Sequence, residues 1–424
     1  MMSDNFDIVV IGGGPAGIMA ALTAKRENSR SKVCIIESGE RIGRKLRITG
    51  GGRCNFTNNK DISCFFDNVV NNEKFLYSSL YTFSNDDMKK YINLLGLEYE
   101  VETENDDKVY LKNGNSMELI EAFEKELKKN NIEVLLNSKV IDLDIDKKIK
   151  KIYLENEILK SEKLIIATGG KSYPQTGSDG SIIELLKNKG YSIVEPVSAL
   201  SPIKVKEKWL KGMLGVSLSK VNLNICYENN KSKKKIIDIV SGDIVFTQNG
   251  IGGPAALKSS SYINRKIGRV YIDADFITSI DRETLYSLAK SNPKKTVFNN
   301  LRDILPNNFL RNIFKKAQIL IDSNFNFLEG KSSNISKKDF DIITRLLKNC
   351  RLTPVSLCEI SKATVTSGGV DVAEIDSSTM ESKIHSGVYF AGELIDVDAL
   401  TGGYNLQIAF STGYLAGLNV NESI

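Results

Sequence analysis

The chain opens on an apolar run, Phe6 to Ile11, broken only by Asp7 and ended by three consecutive glycines, Gly12 to Gly14. From Ala16 to about Arg26 the apolar positions recur at helical spacing, and Lys32 to Glu37 is mostly apolar again. A short apolar run, a glycine turn, a helix and a second apolar run predict the start of a βαβ unit. Arg41 to Asn58 is rich in Gly, Arg, Thr and Asn and predicts an ordered loop. Helical patterns follow over Asn72–Phe83 and Asn85–Leu95, the second with Ser84 as N-cap and Asp87 three residues on. Short strands are expected at Glu98–Val101 and Val109–Lys112, a helix over Ser116–Asn130 and a strand at Ile132–Leu136. Val140–Ile145 and Ile149–Leu154 flank the polar turn Asp146-Lys147-Lys148 and predict a hairpin, and Leu164–Ala167 predicts a buried strand. Beyond Glu195-Pro196 the pattern is mainly strands to about Ile277, then mainly helices from Asp281 to Asn349, with breaks at Pro293 and Pro306. Short strands return near Lys362, then a strand at Gly387–Ala391 and a closing helix at Ile408–Leu418. The pattern predicts a first domain over 1–195, an inserted β-rich domain over 196–280, a helical subdomain of that insert over 281–352, and a return to the first domain over 353–424.

Four glycine-rich segments carry chemistry. Gly12, Gly14 and Gly17 stand at G-x-G-x-x-G spacing behind the first strand. That spacing permits a tight turn, then close approach of backbone to a pyrophosphate, then tight helix–strand packing. Pro15 and Ala16 begin the helix, whose unpaired N–H groups and partial positive charge favour phosphate. Glu37 ends the next strand twenty residues beyond Gly17, with Ser38 behind it. A carboxylate there accepts hydrogen bonds from a ribose and repels a 2′-phosphate. The plain alternative, a glycine turn beside a surface Glu, fits the strand–turn–helix context less well. In the second segment, Gly43 to Asn55, Thr49 precedes Gly50, Gly51 and Gly52, which let backbone N–H groups crowd an anion or a flat ring. Arg44, Lys45 and Arg53 add positive charge. The third is a buried strand ending in Ala167-Thr168-Gly169-Gly170, at the carboxyl edge of a sheet where ligands bind. The fourth runs from a strand into Gly392-Glu393 and on to Asp396, suited to a polyol chain. Gly402-Gly403 then opens a helix at Tyr404, Asn405 and Leu406, whose N-terminus can face a developing negative charge. A reduced flavin carries that charge at its N1–C2=O edge. The four segments together predict an α/β fold with a Rossmann-type FAD-binding domain, glutathione-reductase-like, and FAD as cofactor.

Composition narrows the partners. The net charge is only +5, and the run Lys231, Lys233, Lys234, Lys235 has no interleaved aromatic residue, so it reads as a solvated turn and not a nucleic-acid site. Six cysteines include no C-x-x-C pair, and the only histidine is His385. Zinc ligation, a disulfide scaffold and a dithiol relay from neighbouring thiols are therefore not expected, and no metal site is. Phe6–Ala24 carries Asp7 and three consecutive glycines and no basic leader, so it is not read as a signal or a membrane span. The expectation is a soluble, cytoplasmic protein acting on a small-molecule substrate, with no nucleic-acid or membrane partner. Cys54 could place a thiol beside the flavin, although a packed small residue is the preferred reading. His385 sits in a polar turn and reads as a surface residue, which leaves Tyr404, Tyr173 and water as candidate proton donors.

The combination IGRKLRITGGGRCNFTN (Ile42–Asn58), ATGGKSYPQTG (Ala167–Gly177), FTQNGIGGP (Phe246–Pro254) and GELIDVDALTGGYN (Gly392–Asn405) resembles the YhiN/BaiN-like family of NAD(P)/FAD-dependent oxidoreductases along the whole chain. The resemblance implies a discontinuous FAD domain, a β-rich insert and a helical portion. It implies FAD contacts at Gly12, Gly14, Ala16, Glu37, Arg44, Lys45, Thr49, Gly52, Arg53, Cys54, Asn55, Val140, Thr168, Gly169, Gly392, Glu393, Gly403 and Asn405. One branch of the family is associated with reduction of conjugated double bonds in 3-oxo bile acid intermediates. The family pattern has His where this chain has Gln248 and Ser where it has Gly252, so any proton donor at those positions is replaced here.

The leading expectation is an enzyme in which FAD carries a hydride from a transient NAD(P)H to an unsaturated carbonyl compound. A flavin-dependent oxidase or hydroxylase, and a non-enzymatic flavin-binding redox protein, are the competing readings. Only one dinucleotide fingerprint is present, the one ending at Gly17, and FAD is assigned to it. Gly250 to Pro254 could hold an anionic group of a substrate or could serve close packing of the helix that begins at Pro254. Without a second dinucleotide unit, the nicotinamide and the oxidising substrate are expected to use one cleft in turn. Initial-rate kinetics should therefore give parallel double-reciprocal lines, with excess NAD(P)H competing against the acceptor. Intersecting lines together with a measured ternary complex would refute a shared site.

Overall fold

The computed structural model describes residues 5–228, 234–321 and 323–421, so Lys231 and Lys233 of the lysine run lie outside the described residues. The chain forms two units, Met1–Val197 with Ile360–Ile424, and Ser198–Glu359.

In the first unit Asn5–Ile11 is the hub of a seven-stranded sheet. The order is Glu133–Leu135, Val33–Ile36, Asn5–Ile11, Ile158–Ile166, Lys150–Leu154, Val140–Asp144, with Val388–Phe390 also pairing with Ile158–Ile166. The pairings on either side of Asn5–Ile11 are parallel, and so is that between Ile158–Ile166 and Val388–Phe390. Val33–Ile36 is buried at every position, the burial that parallel strands covered on both faces require. The Val140 hairpin and its neighbour Ile158–Ile166 run antiparallel. The strand expected from Leu164 begins six residues earlier, at Ile158. Of its six added residues, Ile158–Glu162 alternate between buried and more exposed positions instead of forming a continuous apolar run, and Ile158–Ser161 pair with the hairpin. The ordered loop expected over Arg41–Asn58 contains a 3₁₀ stretch, Leu46–Gly52, and a strand, Asn55–Asn58, which pairs with Lys108–Leu111. The Asn72–Phe83 helix is split into a 3₁₀ turn, Glu73–Leu76, and a helix, Tyr77–Thr82. Asn85–Leu94 starts with the Ser84–Asp87 capping box.

The closing helix spans Tyr404–Asn419 and crosses the first helix, Pro15–Glu27, at backbone distance. A Cβ on Gly413 would lie 2.2 Å from the Ala16 carbonyl oxygen, and one on Gly417 would lie 2.3 Å from that of Ala20. Only glycine allows these approaches.

The second unit is built on a seven-stranded antiparallel sheet. Its order is Cys350–Leu352, Val270–Asp275, Ser217–Glu228, Lys234–Thr247, Gly250–Gly252, Ile203–Val205, Pro354–Leu357. Among the described residues, five helices accompany it: Pro254–Ile263, Arg282–Ala289, Val297–Leu301, Asn307–Leu320 and Lys337–Lys348. The division of the insert into β-rich and helical parts does not correspond to two cores. Phe246 of the sheet, Phe276 and Phe309 of a helix meet with ring centroids 5.2 to 5.9 Å apart, inside one buried cluster. Pro354–Leu357, which the sequence pattern assigns to the returning first domain, is an edge strand of this sheet, paired with Ile203–Val205. The glycines of Gly250–Pro254 serve packing here. A Cβ on Gly250 would lie 1.9 Å from the Ile203 carbonyl oxygen, and one on Gly253 2.9 Å from that of Asp243.

Gly413→Val should push the closing helix off the first helix, at a cost of about 1–3 kcal/mol for overpacking. A thermal melt of the purified variant should show a lowered Tm with loss of flavin. An unchanged Tm would mean that the helix contact is dispensable.

Candidate functional site

The G-x-G-x-x-G turn sits where the carboxyl ends of the parallel strands meet. Gly12 has φ of +109°, and a Cβ there would lie 2.4 Å from the Ala167 carbonyl oxygen. Ala167 in turn donates its N–H to the Ile11 carbonyl at 2.8 Å. A Cβ on Gly17 would lie 1.9 Å from the Gly12 carbonyl oxygen. Gly14 is different, because a Cβ there would meet nothing within 4 Å. Gly14 caps the first helix without a side-chain hydrogen bond, and Pro15 follows it in the first turn. The helix thus presents uncapped N–H groups to open space, the arrangement that suits a pyrophosphate.

Glu37 is buried beside this turn. Its Oε2 accepts from Gly13 N–H at 2.9 Å and its Oε1 from Gly39 N–H at 2.7 Å. Ser38 Oγ lies 3.3 Å from Oε1. The carboxylate therefore ties the glycine turn to the end of the second strand. Gly177, in the segment that follows Gly169, comes close to the same pair: a Cβ on it would meet Ser38 Oγ at 3.1 Å and Glu37 Oε1 at 3.4 Å. Arg44 donates to the Gln175 carbonyl oxygen at 2.6 Å. The hairpin bearing Val140 approaches through Ser138, whose N–H donates to the Glu37 carbonyl at 2.9 Å.

A second cluster lies around Glu393. Gly392 has φ of +74°, and its N–H donates to Thr412 Oγ1 at 2.9 Å. Glu393 receives Lys45 Nζ on Oε2 at 2.5 Å, and Thr366 N–H at 2.7 Å and Ser172 Oγ at 3.1 Å on Oε1. Lys45 also donates to Ser172 Oγ at 2.6 Å. Next to this network Gly169 has φ of +75°, and Thr168 Oγ1 is buried with no hydrogen-bond partner among the described residues. Sequence reasoning found Lys45, Gly169 and Glu393 but not Ser172 or Thr366. Ser172 stands inside a motif already singled out, whereas Thr366 carries no local signal.

The third cluster surrounds Gly50–Gly52, three successive residues with φ of +57°, +68° and +91°. A Cβ on Gly50 would crowd Asn55 N at 2.9 Å, but Gly51 and Gly52 border open space. Thr49 closes the turn through Oγ1 on the Leu46 carbonyl at 2.7 Å. With its nitrogen on the Thr57 carbonyl at 2.9 Å, the Asn55 amide accepts from Gly403 N–H at 3.1 Å. That bond joins the second glycine segment to the fourth. Gly403 has φ of +92° and caps the closing helix with no side-chain hydrogen bond, so a second helix N-terminus stands uncapped here.

Several residues expected at the cofactor have other partners. Arg53 pairs with Glu100 and Glu102 and lies over the Tyr110 ring at 4.1 Å, so its charge is already matched. The Asn405 amide closes on Ala399, donating to its carbonyl at 2.7 Å and accepting its N–H at 2.9 Å. Asp396 accepts from Asn72 Nδ2 at 3.0 Å, and Leu406 packs half-buried against the core. Cys54 is fully buried, and desolvation pushes its thiol up to about 12, so it is a packed thiol and not a thiolate nucleophile. Tyr404 is fully buried edge-on to Phe65 at 5.0 Å, and burial pushes its phenol up to about 12. Its hydroxyl has no hydrogen-bond partner among the described residues. Tyr173 is half-buried in a left-handed turn with φ of +54°. His385 is not the surface residue expected: its side chain is 11% exposed and bridges Tyr191 at 3.0 Å and Asp146 at 3.1 Å. It stands before Val388, at the opposite end of that strand from Gly392.

The residues fit FAD. The open space at Gly14, Gly51 and Gly52, the orphaned Thr168 hydroxyl and two uncapped helix ends are all features a bound dinucleotide would satisfy. The HI0933-like protein Rossmann domain description matches residues 6–419. The chain belongs to this family. It is a Rossmann-type FAD flavoprotein and an oxidoreductase. The chain is similar, at 28% identity over 97% of its length and 98% of the relative's, to a 3-dehydro-bile acid delta(4,6)-reductase of Clostridium scindens. It is equally similar, at 28% identity over 99% of its length and 100% of the relative's, to a ribosomal RNA dihydrouridine synthase of Haemophilus influenzae. Among solved structures, a 3-ketosteroid-delta4-(5alpha)-dehydrogenase from Rhodococcus jostii matches 99% of this chain and 97% of that one, with 13% identity and a TM-score of 0.51, a likeness of fold.

Glu37→Ala should weaken FAD binding by about 1–3 kcal/mol, the range for hydrogen bonds to a charged group. That corresponds to about 5- to 150-fold in Kd. Titration of the apoprotein with FAD, followed by flavin fluorescence, reads the effect. An unchanged Kd would place the adenosine ribose elsewhere.

Proposed function

We propose that this protein reduces a carbon–carbon double bond conjugated to a carbonyl, with NAD(P)H as the source of electrons. The observation that supports this most is the state of the two reactive side chains singled out in the sequence: Cys54 is buried and protonated, and His385 stands at the far end of its strand. That state favours direct hydride transfer over a thiol relay. Bound FAD would supply the hydride to the β-carbon of the conjugated bond. The Gly403 end of the closing helix would favour negative charge at the ring, because its N–H groups carry the positive end of the helix dipole. Lys45 and Glu393 would hold the polyol chain as a neutralised pair. The proton for the α-carbon is assigned to water or Tyr173, because the Tyr404 hydroxyl is enclosed.

The names of the two relatives support this bond type. A 3-oxo steroid with 4,6-unsaturation presents a double bond conjugated to its ketone, and uracil presents C5=C6 conjugated to C4=O. Uracil takes a hydride at its β-carbon and a proton at its α-carbon, and the steroid takes them at the same positions for its 4,5 bond and at the vinylogous C7 and C6 for its 6,7 bond. The near-complete coverage of a ribosomal RNA dihydrouridine synthase makes uracil in RNA a second acceptor reading beside a free steroid-like enone.

Under anaerobic conditions NADH or NADPH should bleach the flavin. A 3-oxo-4,6-diene steroid or an unmodified ribosomal RNA transcript should then restore its colour, with the reduced product found by mass spectrometry. Failure of both nicotinamides, or reoxidation by oxygen alone with peroxide release, would sink the proposal and favour an oxidase.

A further inference from the structure

The whole-chain charge of +5 is the sum of two opposed parts. Ser198–Glu359 contains 27 Lys and Arg against 14 Asp and Glu, a net of +13, whereas the remainder has 30 against 38, a net of −8. The positive charge is not spread evenly over the second unit. A groove of about 820 Å³ is lined by Lys206, Lys208, Lys316, Arg345 and Arg351, with Trp209 in its wall. Four of the five cations are exposed and Lys316 is half-buried. The acid in the lining, Glu207, accepts the Thr353 N–H on Oε2 at 2.9 Å. Arg351, also in the lining, lies over the Tyr271 ring at 3.9 Å.

Different elements deliver these residues. Lys206 and Lys208 flank the turn after Ile203–Val205, Lys316 lies on Asn307–Leu320, Arg345 is in the last turn of Lys337–Lys348, and Arg351 is on the strand Cys350–Leu352. A cation in the last turn of a helix has an ordinary reason to be there, since it offsets the helix dipole. That reason covers Arg345 alone. Lys206 and Lys208 on one side and Lys316 on the other come from separate elements, and drawing like charges together is unfavourable without an anion. Trp209 is the chain's only tryptophan, and it packs half-buried against the core while contributing to the groove. Cations along a groove with an aromatic side chain are the components of a surface for single-stranded nucleic acid, in which phosphates meet the cations and a base stacks on the ring.

We propose that this groove binds the phosphodiester backbone of a single-stranded nucleic acid, with a base against Trp209. The groove is separate from the flavin cradle in sequence and composition. Its test uses oxidised protein with no nicotinamide, so its failure leaves the proposed reduction of a free enone untouched and bears only on RNA as the acceptor.

Trp209 reports on the groove directly, because the intrinsic tryptophan fluorescence has no other source in this chain. Full-length, FAD-loaded protein would be titrated with a 20-nucleotide mixed-sequence RNA, with the DNA of the same sequence, and with phosphatidylglycerol vesicles. The expected result is quenching by nucleic acid that weakens as salt rises. The variant carrying Lys206→Gln, Lys208→Gln, Lys316→Gln and Arg345→Gln should bind at least about tenfold more weakly. It should also flatten the slope of log K against log salt by about 3, at roughly 0.7 for each phosphate no longer neutralised. Lys316→Gln and Arg345→Gln singly, each flattening the slope by about 0.7, keep the test open if the fourfold variant fails to fold. Preference for RNA over DNA would identify the source, and equal binding would support recognition of the backbone alone. No quenching by either nucleic acid, binding unaltered by the substitutions, or binding to the vesicles only would overturn the proposal.

Discussion

The first unit depends on how closely backbone approaches backbone around the first helix, Pro15–Glu27. Gly17 brings the helix against the Gly12 carbonyl, and Gly413 and Gly417 bring the closing helix against the carbonyls of Ala16 and Ala20. A methyl group at any of these positions would lie under 2.5 Å from an oxygen. Close-packed interiors do not absorb such an overlap without displacing an element. The helix is therefore clamped between the sheet and the closing helix, and the direction of its N-terminus is fixed. That direction gives Gly14 its open face and makes the uncapped N–H groups available to a phosphate.

Around this clamp the site is assembled from the first sixty residues, the segment near Thr168 and the last sixty. Lys45, Ser172, Thr366 and Glu393 meet in one network, with Lys45 and Glu393 2.5 Å apart. A partly buried ion pair contributes little to stability on balance, because desolvation offsets much of the attraction. Its consequence here is positional. It ties the second and fourth glycine segments to the residues that follow the third, and the Asn55–Gly403 hydrogen bond joins the second and fourth again.

The second unit differs from the first in the sign of its charge. Its core joins sheet and helices through Phe246, Phe276 and Phe309, and its composition is strongly basic. The net charge of the whole chain hides this, because it averages an acidic unit with a basic one. A search for lysine runs misses the groove as well, since its cations stand apart in sequence, from Lys206 to Arg351.

The cofactor class and the parallel core are legible in the amino-acid order alone. Gly12, Gly14, Gly17 and Glu37 stand out there because a strand–turn–helix is local: it requires particular backbone freedom at fixed spacing next to a strand and a helix. The capping box at Ser84 and Asp87 is legible for the same reason. What each polar or reactive side chain binds is settled only on folding. Arg53 was expected to meet an anionic ligand and instead meets Glu100 and Glu102, because a small sheet brings Tyr99–Glu102 near it. Cys54 is disarmed by complete burial, which depends on every neighbour that covers it. Asn405 closes on Ala399, and His385 is covered by Tyr191 and Asp146, residues 194 and 239 positions away. Spacing along the chain conveys backbone conformation, but the partners of a side chain are set by elements that meet only when the sheet has formed.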